Sequence, residues 1–349
     1  MVIVFGLAIL APLPILQFLS LGYLLEVSGR IARERRFSAG FIGFRQAAKV
    51  GMLAIAVSIM LLILRFFAAQ AYSARLIAPG SSASRGWSIG LFIATGLMAF
   101  LLFAACWVGN KIWRSRHPAT KSPSGQTHSH GTLAEIRDAV WHFVVELRLP
   151  YYFWLGARGF AGGLLWLLLP VTLLAFGGKP PLGGGLGILI GYLGAFLLMA
   201  VLLYLPFLQT RFALENRFSA MFELRAVRQV FRRAPIAFWT ALFATLLFSL
   251  PLYLLKIEIV PRDAAGLPSL LFVMFMVPAR FLAGWAYSRG LKREQVRHWF
   301  FRLMARLGML PVVAFYVLIV YFTQYLSWHG VWSLYEQHAF LLPVPFVGL

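Results

Sequence analysis

Arg65, Arg158 and Arg280 lie inside long apolar runs, and their positions demand a chemical reason. A guanidinium in hydrocarbon is costly and keeps its charge, so it needs an anion, a backbone carbonyl or a polar cavity. Arg280 follows Pro278 and lies between a third and half of the way along its run. It reads as a ligand for an anionic group, as a partner at an interface between two halves, or as a side chain packed on a neighbouring helix's carbonyls. Arg65 is five residues from the end of its run and within snorkelling reach of the boundary. Arg158 follows Tyr151-Tyr152-Phe153-Trp154, and if these rings mark a membrane interface it is a flanking charge.

Other side chains narrow the chemistry. All 11 Asp and Glu lie in loops or at the ends of runs, Glu26 being the nearest to an exception. Proton- and sodium-coupled transporters commonly keep carboxylates in the membrane core, so that mechanism and an intramembrane aspartyl dyad are disfavoured. His117, His128 and His130 match no standard metal spacing, and no Cys or close carboxylate joins them, so no metal is expected. His142 and His298 fall in two amphipathic stretches. The single Cys106 sits in an apolar run and gives neither a disulfide nor a cysteine metal site. Gly183-Gly184-Gly185 and Gly162-Gly163 lack the Lys-Ser or Lys-Thr of a phosphate loop and suit close helix packing or a tight turn. No H-E-x-x-H, serine elbow or kinase set is present, so we expect no catalytic residue, no cofactor and no enzymatic activity.

The elements that would position these residues are membrane helices. Of 349 residues, 60% are hydrophobic and only 12% charged, with a formal net charge of +21. That is too apolar for an ordinary soluble domain. A span needs about 20 apolar residues. Eight runs qualify, at approximately 3–25, 50–70, 87–109, 151–176, 186–208, 236–255, 268–288 and 308–326. The expected fold is an all-α polytopic bundle. Val2 to Leu25 carries no charge, but Pro12 and Pro14 would kink or break it. No basic n-region or clear cleavage site precedes it, so it is either a first helix with its N-terminus outside or the remainder of a longer segment.

Twenty-four of the 32 Lys and Arg fall in segments 29–50, 111–148, 209–233 and 289–306. Such alternation fits the positive-inside rule and not the single basic stripe of a nucleic-acid binder. We therefore expect a prokaryotic cytoplasmic membrane, with the four clusters in the cytoplasm and both termini outside. Residues 117–131 read as a flexible linker. Thr132 with Glu135 forms a capping-box pair before one apolar stripe. Phe37 to Ala48, Phe218 to Phe231 and Val296 to Leu307 form others. These are either interfacial helices or cytoplasmic extensions of the spans. Arg225, Arg228, Arg232, Arg293, Arg297 and Arg302 are the expected contacts for anionic phospholipid headgroups.

Arg36-Phe37-Ser38-Ala39-Gly40-Phe41 recurs 181 residues later as Arg217-Phe218-Ser219-Ala220-Met221-Phe222. The same shift lays 50–70 on 231–251 and 87–109 on 268–290. The order of spans and basic segments repeats too. This predicts two four-span halves, 1–176 and 182–349, in parallel orientation.

Leu13-Pro14-Ile15-Leu16-Gln17-Phe18-Leu19 with Gly22-Tyr23-Leu24-Leu25, followed by a basic amphipathic stretch, resembles an uncharacterised prokaryotic family of multi-pass membrane proteins, a domain of unknown function. Arg211 to Ala220 through Arg232-Arg233-Ala234-Pro235 is similar to that family's second conserved region. The resemblance covers most of 10–110 and 186–290, and the 111–150 insert departs from it. It implies membrane residence, no established activity and no catalytic residues to carry over.

The expected function is that of a non-enzymatic membrane protein, permease- or channel-like first, with a scaffold as the alternative and a lipid-acting enzyme last. A permease- or channel-like protein accords with the repeat and Arg280. A membrane-organising scaffold, holding anionic lipid or a membrane protein partner or a second copy of itself, accords with the basic face. A lipid-acting enzyme has no acid, base or nucleophile to support it.

Overall fold

The computed structural model describes residues 2–11, 15–116, 145, 147–177, 184–255, 266–326 and 330–336. All secondary structure among them is helical. Helices α1 (Val2–Leu10) and α2 (Gln17–Glu34) are followed by a 3-10 turn at Phe37–Gly40, then α3 (Phe44–Ile77) and α4 (Ser82–Arg116). Next come α5 (Leu149–Phe176) and α6 (Gly185–Glu215), a second 3-10 turn at Phe218–Phe222, and α7 (Leu224–Arg233). Helices α8 (Pro235–Leu255), α9 (Gly266–Lys292), α10 (Trp299–Leu326) and the short α11 (Ser333–Glu336) complete the chain.

Among the described residues six helices are long and apolar enough to cross a membrane, or seven if the bent pair α7–α8 counts as one span. Seven of the eight expected runs coincide with helices α3 to α6 and α8 to α10. The first does not form one helix. Helix α1 has nine residues, about 14 Å at 1.5 Å per residue, which is too short to span. Helix α2 carries Glu26, Arg30, Arg33 and Glu34. Ala11, Ile15 and Leu16 between them are turns, and the expected kink at Pro12 and Pro14 lies outside the described residues.

The chain forms two compact units, residues 45–143 and the remainder. In the first, α3 and α4 form a hairpin through a turn at Gly80, which adopts φ +79°. Ser81 Oγ accepts the Ser84 N–H at 3.1 Å at the start of α4, and Arg75 donates to Ser88 Oγ across the pair at 3.2 Å. Phe66 and Phe67 pack on Trp87. Most other apolar side chains on these helices, such as Ile77 and Phe92, face outward.

The larger unit is built around α2. A Cβ on Gly22 would lie 1.8 Å from the Tyr152 carbonyl oxygen, and one on Gly156 would lie 1.9 Å from the Phe18 oxygen. The α2 and α5 backbones therefore touch, as small residues allow in membranes. Gly29 meets Ala213 of α6 in the same way, and Gly284 of α9 meets Ser28. The main core runs from Leu21 and Leu25 through Leu155, Leu205, Phe212 and Phe238 to Tyr316. Leu7 and Ala8 of α1, with Ala11 just after it, pack with Phe272, Val273 and Met276 of α9.

The expected stripes resolve in two ways. Leu224–Arg233 is a separate helix bent 113° from α8, lying across the span direction. Val296 to Leu307 instead leads into α10, which continues unbroken through Pro311. The stripe at Thr132 to Leu147 lies mostly outside the described residues.

Candidate functional site

Contacts between helix ends gather the basic segments of the larger unit at one end of the bundle. Arg33, in the last turn of α2, donates to the carbonyls of Ala213 at 2.9 Å and Leu214 at 3.2 Å. These are among the last carbonyls of α6, which its helix cannot satisfy, and a cation suits that negative terminus. Arg33 also reaches Glu26 Oε1 at 3.3 Å, and Tyr151 of α5 donates to Glu26 Oε2 at 2.7 Å. The buried carboxylate thus ties three helices together.

Arg35 and Asn216 follow α2 and α6 in left-handed conformation, at φ 56° and φ 53°. Arg36 and Arg217 then turn extended before the two 3-10 turns. The two copies of the hexapeptide follow the same backbone course. The ion pairs Arg30–Glu34 and Arg211–Glu215, each at 2.7 Å, stand at the same offset. Arg211 also pairs with Glu223 and bonds the Tyr287 hydroxyl at 3.3 Å, while Arg217 holds both Glu215 and Glu223. The Arg211 hydrogen bond keeps the Glu223 carboxyl below its ordinary value.

These pairs engage Glu26, Glu34, Glu215 and Glu223, while the exposed Glu294 forms no ion pair among the described residues. Arg225, Arg228, Arg232, Arg293, Arg297, Arg302 and Arg306 have no carboxylate partner among the described residues. Several rest on rings instead. Arg228 lies 5.4 Å from the Tyr204 centroid, Arg297 5.2 Å from Phe301 and Arg306 5.7 Å from Phe231. The segment before α10 closes the break between α7 and α8. There the Arg297 N–H donates to the Arg232 carbonyl at 3.0 Å and Arg293 to the Arg233 carbonyl at 3.4 Å. His298 accepts the Phe300 N–H at 3.3 Å as α10 begins.

Within the larger unit, Arg158 and Arg280 take different partners. Arg158 donates to Asn216 Oδ1 at 2.7 Å and stacks on Phe212, so it stands at the level of the basic end, as a flanking charge would. Arg65 is exposed on α3, in the other unit. Arg280 is 3% exposed and donates to Gln209 Oε1 of α6 at 2.7 Å. Its Nε is buried without an acceptor. It has no carboxylate partner among the described residues.

Two cavities border α6. One of about 310 Å³ lies between α5 and α6 beside Trp166 and Phe222. The other, of about 270 Å³, is enclosed by α6, α7, α8 and α10 and lined by Tyr204, Phe207, Arg228, Phe231, Phe238 and Arg306 among others. Tyr204 and Arg306 were not singled out in the sequence, although Arg306 lies one turn beyond Arg302 on the same helix face. No group of three or more His, Cys, Asp or Glu able to hold a metal occurs among the described residues. The stretch from His117 to His130, His142 and the side chain of Cys106 lie outside them. Gly162 packs on Met221, a packing role.

A bundle of long apolar helices carrying bare arginines at one end defines an integral membrane protein. Residues 148–260, from the start of α5 to just beyond α8, match a domain described as Protein of unknown function (DUF4013). The match contains the second conserved region expected above, Arg211 to Pro235, and does not extend to the Leu13–Leu25 stretch. Comparison with curated proteins and with solved structures returned no match.

Proposed function

We propose that this is a non-enzymatic membrane-organising protein that gathers anionic phospholipid around its basic end, in the cytoplasmic leaflet of a prokaryotic inner membrane. The observation that carries this reading is the excess of arginines at one end of the bundle that form no ion pair among the described residues, Arg225, Arg228, Arg232, Arg293, Arg297, Arg302 and Arg306 among them. Three of them stand on α7, which turns across the bundle with Val227 and Val230 buried beneath it. A basic residue near an anionic surface contributes about 1 kcal/mol, so even half of this set gives a strong lipid preference. Ring-stacked guanidiniums keep most of their donor edge free for phosphate oxygens.

The test is lipid selectivity in proteoliposomes, read with spin-labelled phosphatidylglycerol and phosphatidylcholine. The anionic lipid should be enriched at the protein surface, less so in high salt, and less again in Arg225→Gln/Arg232→Gln/Arg297→Gln. Equal association of the two lipids with the wild-type chain would remove the proposal.

Arg280 supports a second, permease-like reading, because an unpaired buried cation is a default functional position in a membrane. Against it, Gly284 one turn further packs directly on the Ser28 backbone, which leaves no passage at that crossing. Uptake of anions into proteoliposomes, abolished by Arg280→Gln, would favour transport over organisation.

A further inference from the structure

The chamber between α6, α7, α8 and α10 joins two chemistries that seldom share a cavity of this size. Its walls include Leu203, Phe207, Phe231, Phe238 and Met309, all apolar. Among the described residues its only charges are Arg228 and Arg306, from two different helices. Arg228 donates through Nε to the Tyr204 hydroxyl at 3.2 Å, its one hydrogen bond among the described residues. Arg306 lies over the Phe231 ring. Each guanidinium is held by an aromatic face and retains donors that point elsewhere. One turn before Arg306, the Nε of Arg302 is buried without an acceptor.

Position adds to this. The chamber lies beside the α7–α8 break, at the level where the basic segments converge, so its charged side meets headgroups and its apolar side meets acyl chain. At about 270 Å³ it is near the lower limit for a small-molecule pocket. It suits a phosphate ester and the beginning of one chain, not a whole two-chain lipid. Leu307 and Leu310, half-exposed on α10, continue the apolar surface outward.

We propose that this chamber is a discrete site for one anionic phospholipid, with its phosphate between Arg228 and Arg306 and the start of one acyl chain against Phe207, Phe231 and Phe238. The proposal rests on the anionic-lipid reading above and narrows it to one saturable position. A free inorganic anion would gain nothing from the apolar walls, and a zwitterionic lipid would bring its own cation toward two arginines.

Native mass spectrometry of the full chain in detergent, titrated with phosphatidylglycerol, with phosphatidylcholine of the same chains, or with inorganic phosphate, tests it. We expect one phosphatidylglycerol to be retained at concentrations where phosphatidylcholine is not. Arg228→Gln/Arg306→Gln should weaken it about tenfold or more, since charge-assisted hydrogen bonds are lost. Leu310→Trp, which fills the chamber from a half-exposed position and keeps both charges, should weaken it similarly. Arg225→Gln/Arg232→Gln should leave the single tight lipid in place and reduce only looser adducts.

Retention that is unchanged by both the arginine pair and Leu310→Trp overturns the site. So does equal retention of phosphatidylcholine, or displacement of the lipid by inorganic phosphate at comparable concentration. If spin-label enrichment persists while no single lipid is retained, the chamber proposal fails and the surface reading stands.

Discussion

The crossing of α2 and α5 gives the sharpest mechanical expectation. In Gly22→Ala the new methyl would begin 1.8 Å from the Tyr152 carbonyl oxygen. An ordinary carbon–oxygen approach is about 3.3–3.6 Å, so the shortfall is about 1.5 Å. Backbone supplies the obstructing atom, and a rotamer change cannot relieve it. The helices must part, and one turn along α2 the 2.7 Å bond from Tyr151 to Glu26 would stretch beyond hydrogen-bonding length. Overpacking of this kind costs about 1–3 kcal/mol. Loss of a hydrogen bond to a charged group adds about 1.5–3 kcal/mol. Gly22→Ala should therefore lose about 3 kcal/mol or more in reversible SDS unfolding. Gly96→Ala is the control, because a Cβ there meets nothing within 4 Å and a helical glycine gains up to about 1 kcal/mol on becoming alanine. If Gly22→Ala and Gly96→Ala fall within about 0.5 kcal/mol of each other, the backbone contact does not hold the bundle.

Four other outcomes follow from the same geometry. Arg33→Gln strips two α6 carbonyls and the buried Glu26 of a cation, and should cost about 1–3 kcal/mol in the same unfolding assay. The folded Glu223 carboxyl is depressed below its ordinary 4.5, so its contribution is full above that value and is lost as pH falls through the lower folded value. The melting advantage of wild type over Glu223→Gln should then be present near neutrality and shrink below about pH 4; an advantage that grows in acid contradicts the pairing with Arg211. Arg280→Met removes a buried cation with an unsatisfied Nε and should leave stability unchanged or raised, whereas a loss above about 3 kcal/mol would show the Gln209 bond to be essential. In a Cys106→Ser background, Leu186→Cys and Arg225→Cys should react with impermeant thiol reagents from opposite compartments, and labelling of both from one side would refute a membrane-crossing α6.

Most of the helices were legible because lipid imposes a length, and seven of the eight runs have it. The first run shows the limit of hydropathy. Its composition qualifies, yet it forms two helices, α1 and α2, and α2 then extends through Glu26, Arg30 and Arg33. Those charges read as a loop until Ala213, Leu214 and Tyr151 supply partners from distant segments. The candidate site was half visible. Arg228 and Arg306 each belonged to a basic cluster, but Tyr204 carries no local signal and nothing in the sequence pairs the two arginines.

Two prolines show why local reading stops there. Ala234-Pro235 ends a helix and Leu310-Pro311 does not, although each follows a basic apolar stripe. A residue before proline is pushed away from helical geometry, so both positions favour a break. At Pro235 the break is sustained because Arg297 and Arg293, some 60 residues on, bond the carbonyls of Arg232 and Arg233 that it frees. Carbonyls freed at membrane depth without such partners would be costly, so α10 accepts a proline inside an intact helix instead. The consequence reaches the chamber. The break swings α7 across the bundle and brings Arg228 toward α10, while the unbroken α10 carries Arg306 up to meet it. Two similar stripes thus place two arginines on opposite walls of one cavity, through a choice made by hydrogen bonds that neither stripe contains.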